Sequence, residues 1–133
     1  MNAASLFDAA GVRPLPRGGL RGLEAAARAA GVPLHRVELA ACRDKAGLLR
    51  AIAAALAFPS WFGHNWDALS DCLGDLSWLP GDCVAVAFAG SRPLRAAAPE
   101  DYRSALEIFA EAAAELARDG RRLILFAPLP ARP

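Results

Sequence analysis

The sequence predicts a small parallel α/β sheet, and three observations carry that prediction. Strand-like and helix-like stretches alternate: a strand over 34–39, helices over 45–73, a strand over 83–89, a helix over 100–118 and a last strand over 121–127. The run from Cys83 to Ala89 is apolar at every position, as expected of a strand covered on both faces. Each strand is joined to the next through helix, and right-handed crossovers of that kind lay strands parallel. This gives three core strands, and residues 1–33 offer one short extended stretch as a fourth. At 133 residues the chain suits one domain with one core. Residues 1–33 are expected to form an N-terminal extension packed on the domain made by 34–133.

Met1 to Ala10 reads as a lead-in from which Leu6 and Phe7 can dock. Val12 to Leu15 is extended, and Pro14 and Pro16 confine it to an edge or a loop. Leu20 to Ala30 is helical, ended by Gly31 and Pro33. Leu34, Val37 and Leu39 are set among His35, Arg36 and Glu38 as on a half-buried strand. Asp44 is an N-cap candidate for a helix over 45–57, whose inner side is Leu48, Leu49, Ile52 and Leu56; Pro59 stops it. Gly90 to Ala98 reads as a loop. Pro99 fits the first turn of the following helix, and Glu100 and Asp101 suit its dipole. Its apolar stripe is Tyr102, Leu106, Phe109, Ala113 and Leu116, with Glu107, Glu111 and Glu115 opposite, and Gly120 ends it. The Pro-rich tail is expected to fray.

Composition narrows the function. The formal charge is only +1, yet the window 51–91 holds Asp67, Asp71, Asp75 and Asp82 and no Lys or Arg. A near-neutral chain with one focused acidic region points to a basic protein surface or a metal, and away from nucleic acid. The longest apolar run, Ala51 to Phe58, is too short to span a bilayer. No signal peptide is read at the N-terminus. The three cysteines, 42, 72 and 83, form no zinc or CxxC pattern. Reduced thiols in a cytoplasmic protein are the simplest account.

The acidic region centres on Pro59 to Leu73. Asn65 caps a helix of about ten residues, a length that needs tertiary packing to persist. Ala68, Leu69, Cys72 and Leu73 share one side; Asp67, Ser70, Asp71 and Gly74 share the other. Gly74 is the expected stop. Asp67 suits the helix dipole, but Asp71 one turn on adds like-charge repulsion. Two readings stay open at this level: an ordinary solvated face, or a face awaiting a cationic partner. Of Trp61 and Phe62, one is expected buried and the other exposed. His64 reads as a surface residue. An enzyme using Asp67, Asp71 and His64 with a metal lacks a nucleophile, a phosphate loop and a metal motif.

Phe58-Pro59-Ser60-Trp61-Phe62-Gly63-His64-Asn65-Trp66-Asp67-Ala68-Leu69-Ser70-Asp71-Cys72-Leu73 resembles the signature of the barstar family, protein inhibitors of guanyl-preferring microbial ribonucleases. The resemblance runs from about Leu34 to Ala127 and implies a barstar-like fold that binds through this helix and loop. It implies that Asp71 enters the nuclease's phosphate pocket and Asp67 bonds a basic residue or backbone at its rim. Trp61 would pack on a catalytic histidine, with Phe62 beside it on the partner-facing loop. Gly63 would permit close backbone approach, Asn65 would cap the helix, and Glu111 would add an acidic contact. Ser70 stands where family helices often carry tryptophan, which removes a large contact; His64 and Trp66 also depart from the best-known member. The implied protein is not an enzyme and uses no cofactor or metal. It is monomeric when free, with a basic ribonuclease or ribonuclease toxin domain as partner. The alternatives are a scaffold module for another basic protein and a metal-dependent enzyme built on the aspartates.

Overall fold

The computed structural model describes residues 3–130; the end of the Pro-rich tail, 131–133, lies outside them. Strands β1 (Gly11–Arg13), β2 (Leu34–Glu38), β3 (Cys83–Ala89) and β4 (Arg122–Phe126) form one parallel sheet in the order β1-β4-β3-β2. The chain crosses the full width of the sheet from β1 to β2, then steps back through β3 to β4. With the crossover hand fixed, reversing the direction of travel moves the connecting helices to the other face. Helix α1 (Gly19–Ala30) therefore covers one face. Helices α2 (Lys45–Ala55), α3 (Trp66–Asp75) and α5 (Pro99–Arg118) cover the opposite one.

β3 shows the division residue by residue. Val84, Val86 and Phe88 join the core under α2, α3 and α5, whereas Ala85 and Ala87 face Leu23 and Ala27 of α1. Both sets are buried, which is why the run carries no polar residue. Each fully buried large side chain contributes about 1.5–3 kcal/mol, so the Val/Phe side is the heavier layer. Phe7, in a 3₁₀ turn over Ala3–Phe7, docks against Phe126 with ring centres 5.9 Å apart. Its carbonyl accepts from Arg122 Nη1 at 2.8 Å.

The N-terminal extended stretch is the fourth strand, β1, paired with β4 at the sheet edge, where Pro14 costs no ladder bond. Two expectations need correction. Gly90 to Ala98 is not all loop: Arg92–Ala97 forms a short helix, α4, with Pro93 in its first turn and Leu94 buried. Proline there lacks only an N–H that a first turn leaves unpaired, and Ala96 and Ala97 favour helix. Helix α2 ends at Ala55 rather than Ala57. Ala57 turns left-handed (φ 52), so that the Phe58 N–H reaches the Ala53 carbonyl at 3.0 Å.

Candidate functional site: the acidic helix and its aromatic loop

Between α2 and α3 the chain makes a turn closed by the Phe62 N–H on the Pro59 carbonyl at 3.0 Å. The turn separates its two aromatics. Trp61 is 64% exposed, whereas Phe62 is buried in the core. The Phe62 ring packs against Phe58 at 4.9 Å and lies 4.7 Å from His64. Phe62, expected among the partner-facing residues, is buried in the free chain: its ring anchors the loop and leaves the outer surface to Trp61. Trp78 closes the cluster from below, its ring 6.0 Å from Phe58 and its Nε1 donating to the Leu56 carbonyl at 2.8 Å.

His64 then adopts a left-handed backbone (φ 52), which delivers Asn65 in extended geometry as the cap of α3. Asn65 Oδ1 accepts from the Ala68 N–H at 2.8 Å, and its Nδ2 donates to the Gly63 carbonyl at 3.3 Å. A Cβ on Gly63 would stand 3.2 Å from that Nδ2, so glycine here serves the cap itself. One orphan donor of the first turn, the Ala68 N–H, is thus met by a side chain, and Asp67 lies in that turn.

The helix presents two different sides. Leu69, Cys72 and Leu73 are fully buried, while Asp67 and Asp71 are exposed and Ser70 is half-buried. Neither aspartate enters an ion pair among the described residues. The cation-free reading of this region holds along the sequence but not in space. Lys45, at the start of α2, sets its Nζ 4.7 Å from the centre of the Trp66 ring. Arg121, from the turn before β4, reaches the far end of α3. Its guanidinium donates to the carbonyls of Asp75 and Leu76 at 3.0 Å and of Leu79 and Gly81 at 3.3 Å.

Gly74 does not end the helix, which runs on to Asp75. Leu76 takes the left-handed cap (φ 49), its N–H bonding the Cys72 carbonyl at 3.1 Å and its side chain fully buried. A Cβ on Gly74 would sit 2.9 Å from Glu115 Oε2 of α5, a clash that this long exposed side chain can relieve by swinging away. The structure thus brings a Glu115 carboxylate onto α3, whereas the sequence reading singled out Glu111, which is exposed on α5 one turn earlier.

Burial pushes all three thiols upward: Cys42, Cys72 next to Asp71 and Asp75, and Cys83 despite the neighbouring Arg122. That is the opposite of what a nucleophilic thiolate needs. Among the described residues no group of three His, Cys, Asp or Glu could hold a metal ion, and no helix is long and apolar enough to cross a membrane.

The family model described as Barstar (barnase inhibitor) matches residues 32–128. The chain belongs to the barstar family. The barstar match takes in β2, β3 and β4 with α2 to α5, so the acidic helix, its loop and the Arg121 clamp all fall inside it. β1 and α1 lie before it. Barstar is an inhibitor family, so the membership speaks for a binding role rather than a catalytic one. No curated protein matches the chain.

Proposed function

We propose that this protein inhibits a guanyl-specific ribonuclease, or a toxin domain of that class, by seating α3 and the Trp61 loop in its active site. One observation carries the reading: Asp67 and Asp71 are exposed together on a capped helix, unpaired among the described residues, beside an exposed tryptophan. A ribonuclease site binds phosphate, so it clusters positive charge. Carboxylates on a fixed helix satisfy that charge and cannot be cleaved. Charge complementarity also speeds encounter and selects partners.

In this reading Asp71 fills the phosphate pocket, Asp67 meets its rim and Trp61 covers a flat catalytic side chain. Gly63 and Ser70 lie at close approach, and Glu111 and Glu115 extend the acidic field. Asn65 acts through the cap. The protein catalyses nothing, takes no cofactor or metal, and works in the cytoplasm. The test is inhibition of a panel of small guanyl-specific ribonucleases by the wild type and by Asp71→Ala, at low and high salt. Inhibition that salt weakens and the substitution abolishes is the expected result. A wild type inert at micromolar concentration against the whole panel would sink the proposal.

A further inference from the structure

We propose that the free edge of β2 pairs with the same edge of a second copy, antiparallel about a two-fold axis, so that one sheet runs through both subunits. β2 ends the strand order, and its outer side has no strand partner among the described residues. Which groups it offers follows from one hydrogen bond. The Leu39 N–H donates to the Ala89 carbonyl on β3 at 2.8 Å. Backbone direction alternates along a strand, so 35, 37 and 39 turn their amides toward β3, and 34, 36 and 38 turn theirs outward. Among the outward groups, the Glu38 carbonyl receives only a long contact from Cys42 Sγ at 4.0 Å.

The register follows from the same alternation. Antiparallel residues that exchange both hydrogen bonds must each face outward, so an even-numbered residue meets an even-numbered one. Centring the axis on Arg36 would oppose two guanidinium groups. Centring it on Val37 places Arg36 opposite Glu38 of the second copy, and Glu38 opposite its Arg36. The contact is isologous, as a closed two-fold dimer requires. Both side chains are exposed on the α1 side, where Arg36 already bridges Glu24 and Glu38 within one chain. Beside this edge a groove of about 230 Å³, lined by Glu24, Ala27, Arg28, Val32, Leu34 and Arg36, separates α1 from the strand. The opposite edge, β1, spans only three residues before Pro14 and carries no such charge pair. α2 covers β2, whereas α3 packs against α5, so pairing leaves Asp67 and Asp71 uncovered. A dimer would replace the monomer expected from the sequence and would present two acidic faces.

The test is the molar mass of the intact protein by light scattering or sedimentation at low salt, from ten to several hundred micromolar. Arg36→Glu and Glu38→Arg are run alone and as an equimolar mixture, each checked for folding by circular dichroism. The wild type should be dimeric. R36E opposes only carboxylates across the axis and E38R only guanidinium groups, so each should be monomeric. Mixed, they restore two opposite-charge pairs and should give a heterodimer, a rescue in trans that no structural role within one chain produces. A wild type monomeric throughout overturns the proposal. A dimer that survives in either single variant, or a mixture that stays monomeric, overturns it as well.

Discussion

Helices α3 and α1 are of similar length and lie on opposite faces of one sheet, yet they are held in different ways. α3 is fixed by side chains at both ends: the Asn65 cap at the start, the buried left-handed Leu76 and the Arg121 clamp at the finish. α1 begins after Gly18 without a side-chain cap and stops at Gly31, using backbone geometry alone. Its hold on the sheet is mainly the burial of Leu23 and Ala27, with the exposed Glu24–Arg36 ion pair beside it. The difference separates a roof from a tool. A roof needs only to keep water off Ala85, Ala87 and Ile124. A helix that must hold two like charges toward solvent gains little from them in folding, because the dipole's stabilisation of Asp67 is set against its repulsion with Asp71. Its orientation has to be imposed from elsewhere in the chain, and preorganisation of that kind lowers the cost of binding.

The widest gap between the two helices should appear on the outer face of α3. Asp71→Ala should weaken nuclease inhibition by about 3–5 kcal/mol, a size typical of charge pairs in this same family's inhibitor complexes and carried over as such. Folding stability, read from urea denaturation, should stay within about 0.5 kcal/mol because the carboxylate is exposed. Equal losses in both would mean that Asp71 is structural.

Next comes the clamp. Arg121→Ala takes a donor from four carbonyls, of which that of Leu76 keeps the Leu79 N–H, and should cost about 2 kcal/mol of stability. Hydrogen exchange should accelerate at the end of α3 and through 76–81, with α1 unchanged. A uniform acceleration across the sheet would show that the two helices are not independently held.

Two cap substitutions sharpen the contrast at matched cost. Asn65→Ala should lose about 1 kcal/mol with the cap. Gly31→Ala should lose about 1 kcal/mol by forcing a side chain into a left-handed position with open space around it. The first should also weaken inhibition and the second should not. Equal inhibition by both variants would remove the link between the cap and binding.

The smallest effect lies at neither helix. Burial in β2 holds His35 below its ordinary value of 6.5, outweighing the bond with the Ala55 backbone that raises it. As pH falls through about 6.5 the unfolded chain takes up the proton first, so stability declines on acidification and levels off below the folded-state value. Urea midpoints at pH 7.5 and 5.5 should show a modest drop that His35→Gln removes.

These tests turn on features that differ in how openly the sequence displays them. The sheet was legible because its signals are local: an unbroken apolar run at 83–89, a helix started by Pro99 and stopped by Gly120, whose neighbour Arg121 closes onto the Leu116 carbonyl at 3.0 Å. The Asn65 cap and the separation of Trp61 from Phe62 were legible for the same reason, although not which ring would turn inward. The Arg121 clamp joins residues forty or more positions apart, and no spacing rule reaches that far. Gly74 misled because glycine near a helix end normally marks the stop, whereas here Leu76 takes the left-handed cap two residues on. α4 was hidden by its length, six residues, too few to show a period.

The strand order has one more consequence, and it concerns time. Gly11 pairs with Ile124, so the contact that sets β1 in place joins opposite ends of the described fold. During synthesis β1 and α1 leave the ribosome long before β4 exists to receive them. We expect the barstar-matched strands to assemble first and the edge strand to join the sheet afterwards. Contacts of such wide sequence separation slow folding. The docking of β1 and Phe7 should therefore be the last event of refolding, and their release the first of unfolding.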